Sequence, residues 1–272
     1  LPGLPAVLGL EGAGVVESVG DQVPDLHPGD RVAYAGVPPG AYAQVRCIPA
    51  HRLVRLPDDI STRQAAGMML KGMTAQYLLN RTYKVTKGTT VLMHAAAGGV
   101  GQILCQWANH LGATVIGTVG SPEKGELAKK NGCHHIINYS KEDFVARVKE
   151  ITGGKGCDVV YDSVGKDTYL GSLDCLKTRG LWVSFGQSSG PITDFNLALL
   201  AQKGSLFATR PTLFNYIATR EELEATAGEL FDVVQKGIVK IEVNQEYRLA
   251  DASQAHLDLE GRKTTGTTVL IP

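Results

Sequence analysis

From residue 90 onward the apolar positions fall into two alternating rhythms. Short runs rich in β-branched residues, at 90–95, 113–118, 135–139, 158–163, 181–186 and 205–210, read as strands bounded by turn residues. Between them the spacing becomes helical. In 99–111, Val100, Ile103, Leu104, Trp107, Ala108 and Leu111 follow i, i+3, i+4, i+7, i+8 and i+11, the apolar face of an α-helix. In 141–151, Phe144, Val148 and Ile151 repeat the stripe, with Ser140 as the expected cap and Asp143 three residues on, a capping-box variant. Strands alternating with helices predict βαβ crossovers and a parallel sheet covered on both faces. After the sixth strand, "TREELEATAGELFDVVQKG" predicts a further helix, opened by Thr219 with Glu222 in the capping-box position and closed at Gly237.

Upstream the rhythm differs. Residues 1–57 carry short strand-like runs, "AGVVESVG", "DRVAYAG", "AYAQVRCI" and "HRLVRL", punctuated by "HPGD" and "PPG" turns. This pattern predicts a small β-rich domain. The tail closes on a β-branched strand, Thr267 to Ile271, expected to return to that domain. The chain opens on "LPGLPAVLGLEGAGVV", without a methionine and already close to a strand, as if entered partway through a domain.

Composition narrows the function classes. Lysine plus arginine equals aspartate plus glutamate at 27 each, so no field of one sign is available to attract nucleic acid or an anionic membrane. The five cysteines include no C-x-x-C, which indicates neither a zinc cluster nor a disulfide framework. Reduced thiols in a cytoplasmic protein are the expectation. No apolar run is long enough to span a bilayer.

The chemistry concentrates in "VLMHAAAGGVGQ". It nearly spells the dinucleotide fingerprint G-x-G-x-x-G, with Ala96 in place of the first glycine. A strand enters and a helix leaves, the context such a loop requires. Gly98 would let the backbone approach a pyrophosphate, Gly101 would let the helix pack on the strand, and the free amides at the helix start would face the anion. The alanine costs little if its φ stays negative. The plain alternative is a glycine turn that serves packing alone.

In NAD-binding folds an acid about 20 residues on, at the end of the second strand, bonds the ribose 2′-hydroxyl. Here that strand ends in Thr118, Val119 and Gly120, with no carboxylate, and Ser121 and Lys124 follow. A hydroxyl and an amine welcome a 2′-phosphate, so NADPH is favoured over NADH. Glu123, the first acid, sits on the next turn and is free to point to solvent; Lys124 as an ordinary surface lysine is the bland reading. No metal is expected. His134 and His135 are neighbours on a strand and face opposite ways, and His51, His94, His110 and His256 stand alone.

With these features in place, the chain resembles the medium-chain dehydrogenase/reductase superfamily, and within it the zeta-crystallin-like branch of NADPH:quinone oxidoreductases. The motifs that carry this are "GLEGAGVVESVG" (9–20), "PGDRVAY" (28–34), "LKGMTAQYLL" (70–79), "HAAAGGVGQILCQWA" (94–108), "GTVGSPEK" (117–124), "IINY" (136–139), "VVYDSVG" (159–165), "VSFGQSSG" (183–190) and "KGSLFATRP" (203–211). The resemblance implies an α/β fold, with a Rossmann-type parallel-sheet domain at 73–212. It also implies a GroES-like β-rich catalytic domain, N-terminally truncated in this chain, formed by 1–72 and completed by 213–272. Two positions depart from the zinc-dependent alcohol dehydrogenases of that superfamily. Their G-H-E histidine ligand is Leu10 here, and their cysteine ligand is Lys71. Leucine cannot coordinate zinc, and lysine would first have to lose its proton.

By the same resemblance, Gly98, Gly99, Val100 and Gly101 hold the pyrophosphate. Gly120, Ser121, Lys124, Tyr139 and Arg262 surround the 2′-phosphate, and Ser163, Phe185, Gly186 and Gln187 line the nicotinamide side. Thr74, expected at the start of a crossover helix, touches the diphosphate or nicotinamide ribose. No catalytic side chain is nominated. The implied function is zinc-independent NADPH-dependent reduction of a small-molecule quinone in an interdomain cleft, by a homodimer joined through the "SLFATR" edge strand. Two alternatives stay open: an enal or enoyl-thioester reductase, for which neither a proton donor nor a basic patch is evident, and a non-catalytic NADPH- or RNA-binding protein, which zero net charge disfavours.

Overall fold

The computed structural model describes residue 3, residues 5–261 and residues 263–272. These form two compact units, one made of Leu1–Thr74 with Leu213–Pro272 and the other of Ala75–Thr212.

The first unit begins with an antiparallel sheet of β1 (Glu11–Val15), β2 (Arg31–Ala35) and β3 (Val54–Arg55), in that order. The chain then enters α1 (Thr62–Tyr77). Of the strand-like runs read from the sequence, "AYAQVRCI" is not a strand. Ala41 and Tyr42 donate to the carbonyls of Gly9 and Leu8, but no ladder follows, and Arg46 instead lies 4.9 Å over the Tyr34 ring. Period-2 polarity there reflects a loop pinned by side chains.

The second unit is the alternating one. Its elements are β4 (Thr90–Met93), α2 (Gly99–His110), β5 (Thr114–Val119), α3 (Pro122–Lys130), β6 (His135–Asn138), α4 (Phe144–Ile151), β7 (Cys157–Asp162), α5 (Tyr169–Asp174), β8 (Leu176–Ser184), α6 (Ala198–Gln202) and β9 (Phe207–Thr209). All six strands are parallel, in the order β6-β5-β4-β7-β8-β9. The six predicted strands are these six, shifted at their ends by a few residues. Val91, Leu92 and Met93 are each no more than 1% exposed. Because consecutive strand residues point to opposite faces, the sheet is covered on both. A cluster of Leu92, Ile116, Val160, Leu173 and Trp182 fills one layer, with Phe144 and Val145 of α4 packed on it. Each such side chain contributes about 1.5–3 kcal/mol on burial.

The expected cap of α4 is corrected. Asp143, not Ser140, is the N-cap: its carboxylate accepts from the amides of Val145 and Ala146 at 2.8 and 3.3 Å. The Ser140 hydroxyl donates to the Gly120 carbonyl at 3.0 Å and is therefore unavailable to the helix.

The chain returns to the first unit through α7 (Leu213–Tyr216), α8 (Arg220–Gln235), β10 (Val243–Arg248), α9 (Ala252–Glu260) and β11 (Thr267–Ile271). The capping box predicted at Thr219 and Glu222 is present, and Gly237 follows the helix in the left-handed region at φ 68°. β11 pairs with β10, in parallel. β10 and α9 carry no clear pattern in the sequence because β10 has three polar residues in a row, Asn244 to Glu246, and α9 has only a weak apolar face. Among the described residues no helix is long and apolar enough to cross a membrane.

Candidate functional site

The strand order places a topological switch point between β4 and β7, where successive crossovers leave in opposite directions and a crevice opens at the carboxyl ends. The "HAAAGGVG" loop lies there. Gly98 is the N-cap of α2 in an extended conformation, with no side-chain cap for the helix amides. The amides of Gly99, Val100 and Gly101 form the first turn, positions that lack an intrahelical acceptor and favour an anion. A Cβ on Gly101 would meet the backbone oxygens of Ala95 and Ala96 at 2.5 and 2.6 Å, so only glycine lets α2 sit this close to the loop. A Cβ on Gly98 would meet the Ala95 carbonyl oxygen at 3.1 Å and the Ala95 methyl at 4.0 Å, a far looser fit than at Gly101.

Ala96 has no positive φ; the left-handed residue is its neighbour Ala95, at φ 55°. The Ala96 methyl is fully buried and points at Gly117 of β5, where a Cβ would come within 2.7 Å of it. The missing first glycine is thus balanced by a glycine on the adjacent strand.

After β5 the chain brings Gly120, Ser121, Lys124 and Tyr139 together. Ser121 caps α3, its hydroxyl oxygen accepting from the Lys124 amide at 3.3 Å. A Cβ on Gly120 would lie 2.6 Å from the Tyr139 phenol oxygen, so the ring packs over that glycine. Glu123 is exposed, as expected of an acid free to face solvent, and the neighbouring Ser121 hydroxyl is the largest cause holding its carboxyl below the ordinary range. Arg262 lies outside the described residues.

On the other side of β4, Ser163 follows β7 and Phe185, Gly186 and Gln187 follow β8. These turns touch: a Cβ on Gly186 would meet the Ser163 carbonyl oxygen at 2.5 Å, and the Ser188 amide bonds that oxygen at 3.1 Å. Thr74 is buried near the end of α1, not at the start of a helix as the sequence suggested, because α1 begins twelve residues earlier at Thr62.

A buried polar chain beneath these loops escaped the sequence reading. His94, directly after β4, contacts Thr118 Oγ1 through Nδ1 at 2.9 Å and Ser172 Oγ through Nε2 at 3.0 Å. Ser172 donates to Asp162 Oδ2 at 2.8 Å. Asp162 also accepts from the amides of Val164 and Gly165, from Thr168 Oγ1 and from Trp182 Nε1. Burial pushes the His94 pKa down, against a smaller upward pull from the Asp162 charge. The signal for it in the sequence was a polar residue at the end of each of two apolar runs, His94 after Val91–Met93 and Asp162 after Val159–Tyr161.

In the first unit, Lys71 Nζ is 3.0 Å from Glu11 Oε2, and Glu11 Oε1 accepts the Leu70 amide at 2.8 Å. Leu10 has no lone pair to offer and the Lys71 ammonium is engaged by Glu11. These residues do not fit a tetrahedral zinc. Among the described residues no group of three His, Cys, Asp or Glu could hold a metal ion.

Comparisons with known proteins show the family. Residues 99–234 match the family described as zinc-binding dehydrogenase, and residues 1–58 match the alcohol dehydrogenase GroES-like domain. The chain is 56% identical to a quinone oxidoreductase of Pseudomonas aeruginosa over 100% of its own length and 83% of the relative's. It is 51% identical to a 2-haloacrylate reductase of a Burkholderia species, over 98% of this chain and 81% of that one. Among solved structures it superposes on the Escherichia coli quinone oxidoreductase complexed with NADPH with a TM-score of 0.98. That pair is 53% identical over 100% of this chain and 84% of the other.

Proposed function

Because the chain belongs to the quinone oxidoreductase family of the medium-chain dehydrogenase/reductase superfamily, we propose that it is an enzyme that reduces quinones with NADPH, without zinc. One observation supports the choice of cofactor: Ser121 and Lys124 follow β5, with Tyr139 after β6 packed over Gly120, where NAD-binding folds place an acid on the strand end. When bound, NADPH supplies the hydride.

The chain's own residues bind and orient. The uncapped amides of Gly99, Val100 and Gly101 receive the pyrophosphate, and Gly98 keeps the approach open. Gly120, Ser121, Lys124, Tyr139 and Arg262 receive the 2′-phosphate. Ser163, Phe185, Gly186 and Gln187 border the nicotinamide, and Thr74 contributes from α1. We assign the first unit as the catalytic domain and the second as the cofactor domain. A quinone is already electrophilic and takes its proton from water, so the reaction needs neither a Lewis acid nor a dedicated acid.

The identity to a 2-haloacrylate reductase favours a second reading, reduction of an activated alkene. An NADPH-oxidation assay against quinones, enals, 2-haloacrylates and enoyl thioesters separates the two. The expected result is turnover with quinones and NADPH; turnover restricted to the alkenes would overturn it.

A cytoplasmic homodimer completes the reading. β9 is the edge of the six-stranded sheet, and Phe207 on it is 60% exposed, an apolar edge that calls for a covering partner. Phe207→Lys is expected to convert the dimer to a monomer in sedimentation analysis. A wild-type monomer would refute it.

A further inference from the structure

The buried chain Thr118–His94–Ser172–Asp162 runs across the switch point. Thr118 is in β5, ahead of the loop that carries Ser121 and Lys124. His94 stands between β4 and the glycine loop. Asp162 ends β7, and its Oδ1 accepts the amides of Val164 at 2.9 Å and Gly165 at 3.1 Å, which shapes the turn that carries Ser163. Trp182 joins from β8, its Nε1 3.4 Å from Asp162 Oδ2. Four adjacent strands, each of which leads into a cofactor loop, are therefore joined through side chains and not only through their ladders. His94, Thr118, Ser172 and Asp162 are each no more than 1% exposed, so water does not compete for these bonds.

The direction of the bonds follows from one group. An ionised carboxylate only accepts, and five donors converge on Asp162: two amides, two hydroxyls and an indole N–H. The Ser172 proton is therefore spent on Asp162, and its oxygen accepts from His94. That places the His94 proton on Nε2. Nδ1 is left as an acceptor, and the Thr118 hydroxyl donates to it. Every bond in the chain is set by the acceptor at its end, and a reversal anywhere would leave a buried donor facing a donor.

We propose that His94, Ser172 and Asp162 are positioning residues for the cofactor, a polarised hydrogen-bond chain that holds the 2′-phosphate loop, the glycine loop and the nicotinamide-side turn in mutual register. None of these side chains needs to touch the cofactor. The chain acts by limiting how far the three loops drift apart before binding, so that ordering costs less on association. This role rests on the reading that these loops hold NADPH.

Two measurements on the full protein test it. In nitrogen-15 NMR spectra of the wild type, His94 is expected to be the neutral Nε2–H form and not to titrate between about pH 5.5 and pH 8, against an ordinary histidine pKa near 6.5. A proton on Nδ1, or titration in that range, would overturn the polarity. By calorimetry, Ser172→Ala, which removes the buried hydrogen bonds to both Asp162 and His94, is expected to raise the NADPH Kd by about tenfold. Leu173→Val on the same helix lies outside the chain. It is expected to lower the melting temperature comparably and leave the Kd within about twofold. Equal weakening by both variants, or none by Ser172→Ala, would overturn the positioning role while wild-type NADPH binding upholds the function. A wild type that does not bind NADPH would overturn the function itself. If Ser172→Ala fails to fold, near-isosteric Thr118→Val breaks the other end of the chain and carries the same expectation.

Discussion

Replacing Lys124 by alanine is expected to raise the Kd for NADPH by about tenfold to a hundredfold, with NADH changed by less than about twofold. A hydrogen bond to a charged group is worth about 1.5–3 kcal/mol, and 1.4 kcal/mol is a factor of ten. The selectivity follows because NADH has no 2′-phosphate to lose. Folding should not suffer: Lys124 is in the first turn of α3, where a cation opposes the helix dipole. The Ser121 cap on the Lys124 backbone amide is untouched by the change. Parallel titrations of both cofactors decide it, and equal losses for the two would remove Lys124 from the 2′-phosphate site.

The glycines of the first loop give the second large effect, because two of them do different work. Gly101→Val is expected to destabilise the protein by about 3 kcal/mol or more and to abolish cofactor binding. Its Cβ would press on backbone oxygens of Ala95 and Ala96, which cannot rotate away, so α2 would have to lift from β4. Gly98→Ala is expected to behave otherwise. Gly98 has φ −79° and ψ 174°, which alanine adopts freely, and its Cβ would meet one carbonyl oxygen at 3.1 Å. That variant should keep most of its stability and lose NADPH affinity, because the methyl occupies space needed by the pyrophosphate. Urea denaturation and calorimetry on the pair separate packing from approach. Equal destabilisation by both would refute that division.

Much of the second unit was legible in the sequence, because a parallel strand buried on both faces has to be continuously apolar and its helices have to carry one apolar stripe. Val91–Met93 and Val159–Tyr161 satisfy the first demand, and Val100 to Leu111 the second. Caps were legible where the residue had no competing partner. Thr219 found its helix amide, whereas Ser140 was taken by the Gly120 carbonyl, a contact 20 residues away in the chain. The first unit was harder to read. Its strands are short and half-exposed, and "AYAQVRCI" alternates without pairing.

Within the site, the sequence by itself determined the glycine loop, the carboxylate-free second strand end and the unsuitability of Leu10 and Lys71 as zinc ligands. Each of those depends on which atoms a residue carries, and composition at a position is enough. Only the tertiary structure decided why Ala96 is tolerated, and that His94, which stood alone in the sequence, shares a buried chain with Asp162. Those facts depend on contacts between strands and loops far apart in sequence, where a partner's position, not its identity, sets the energy. Gly117 makes room for the Ala96 methyl from across the β4–β5 ladder, and no local pattern records that space.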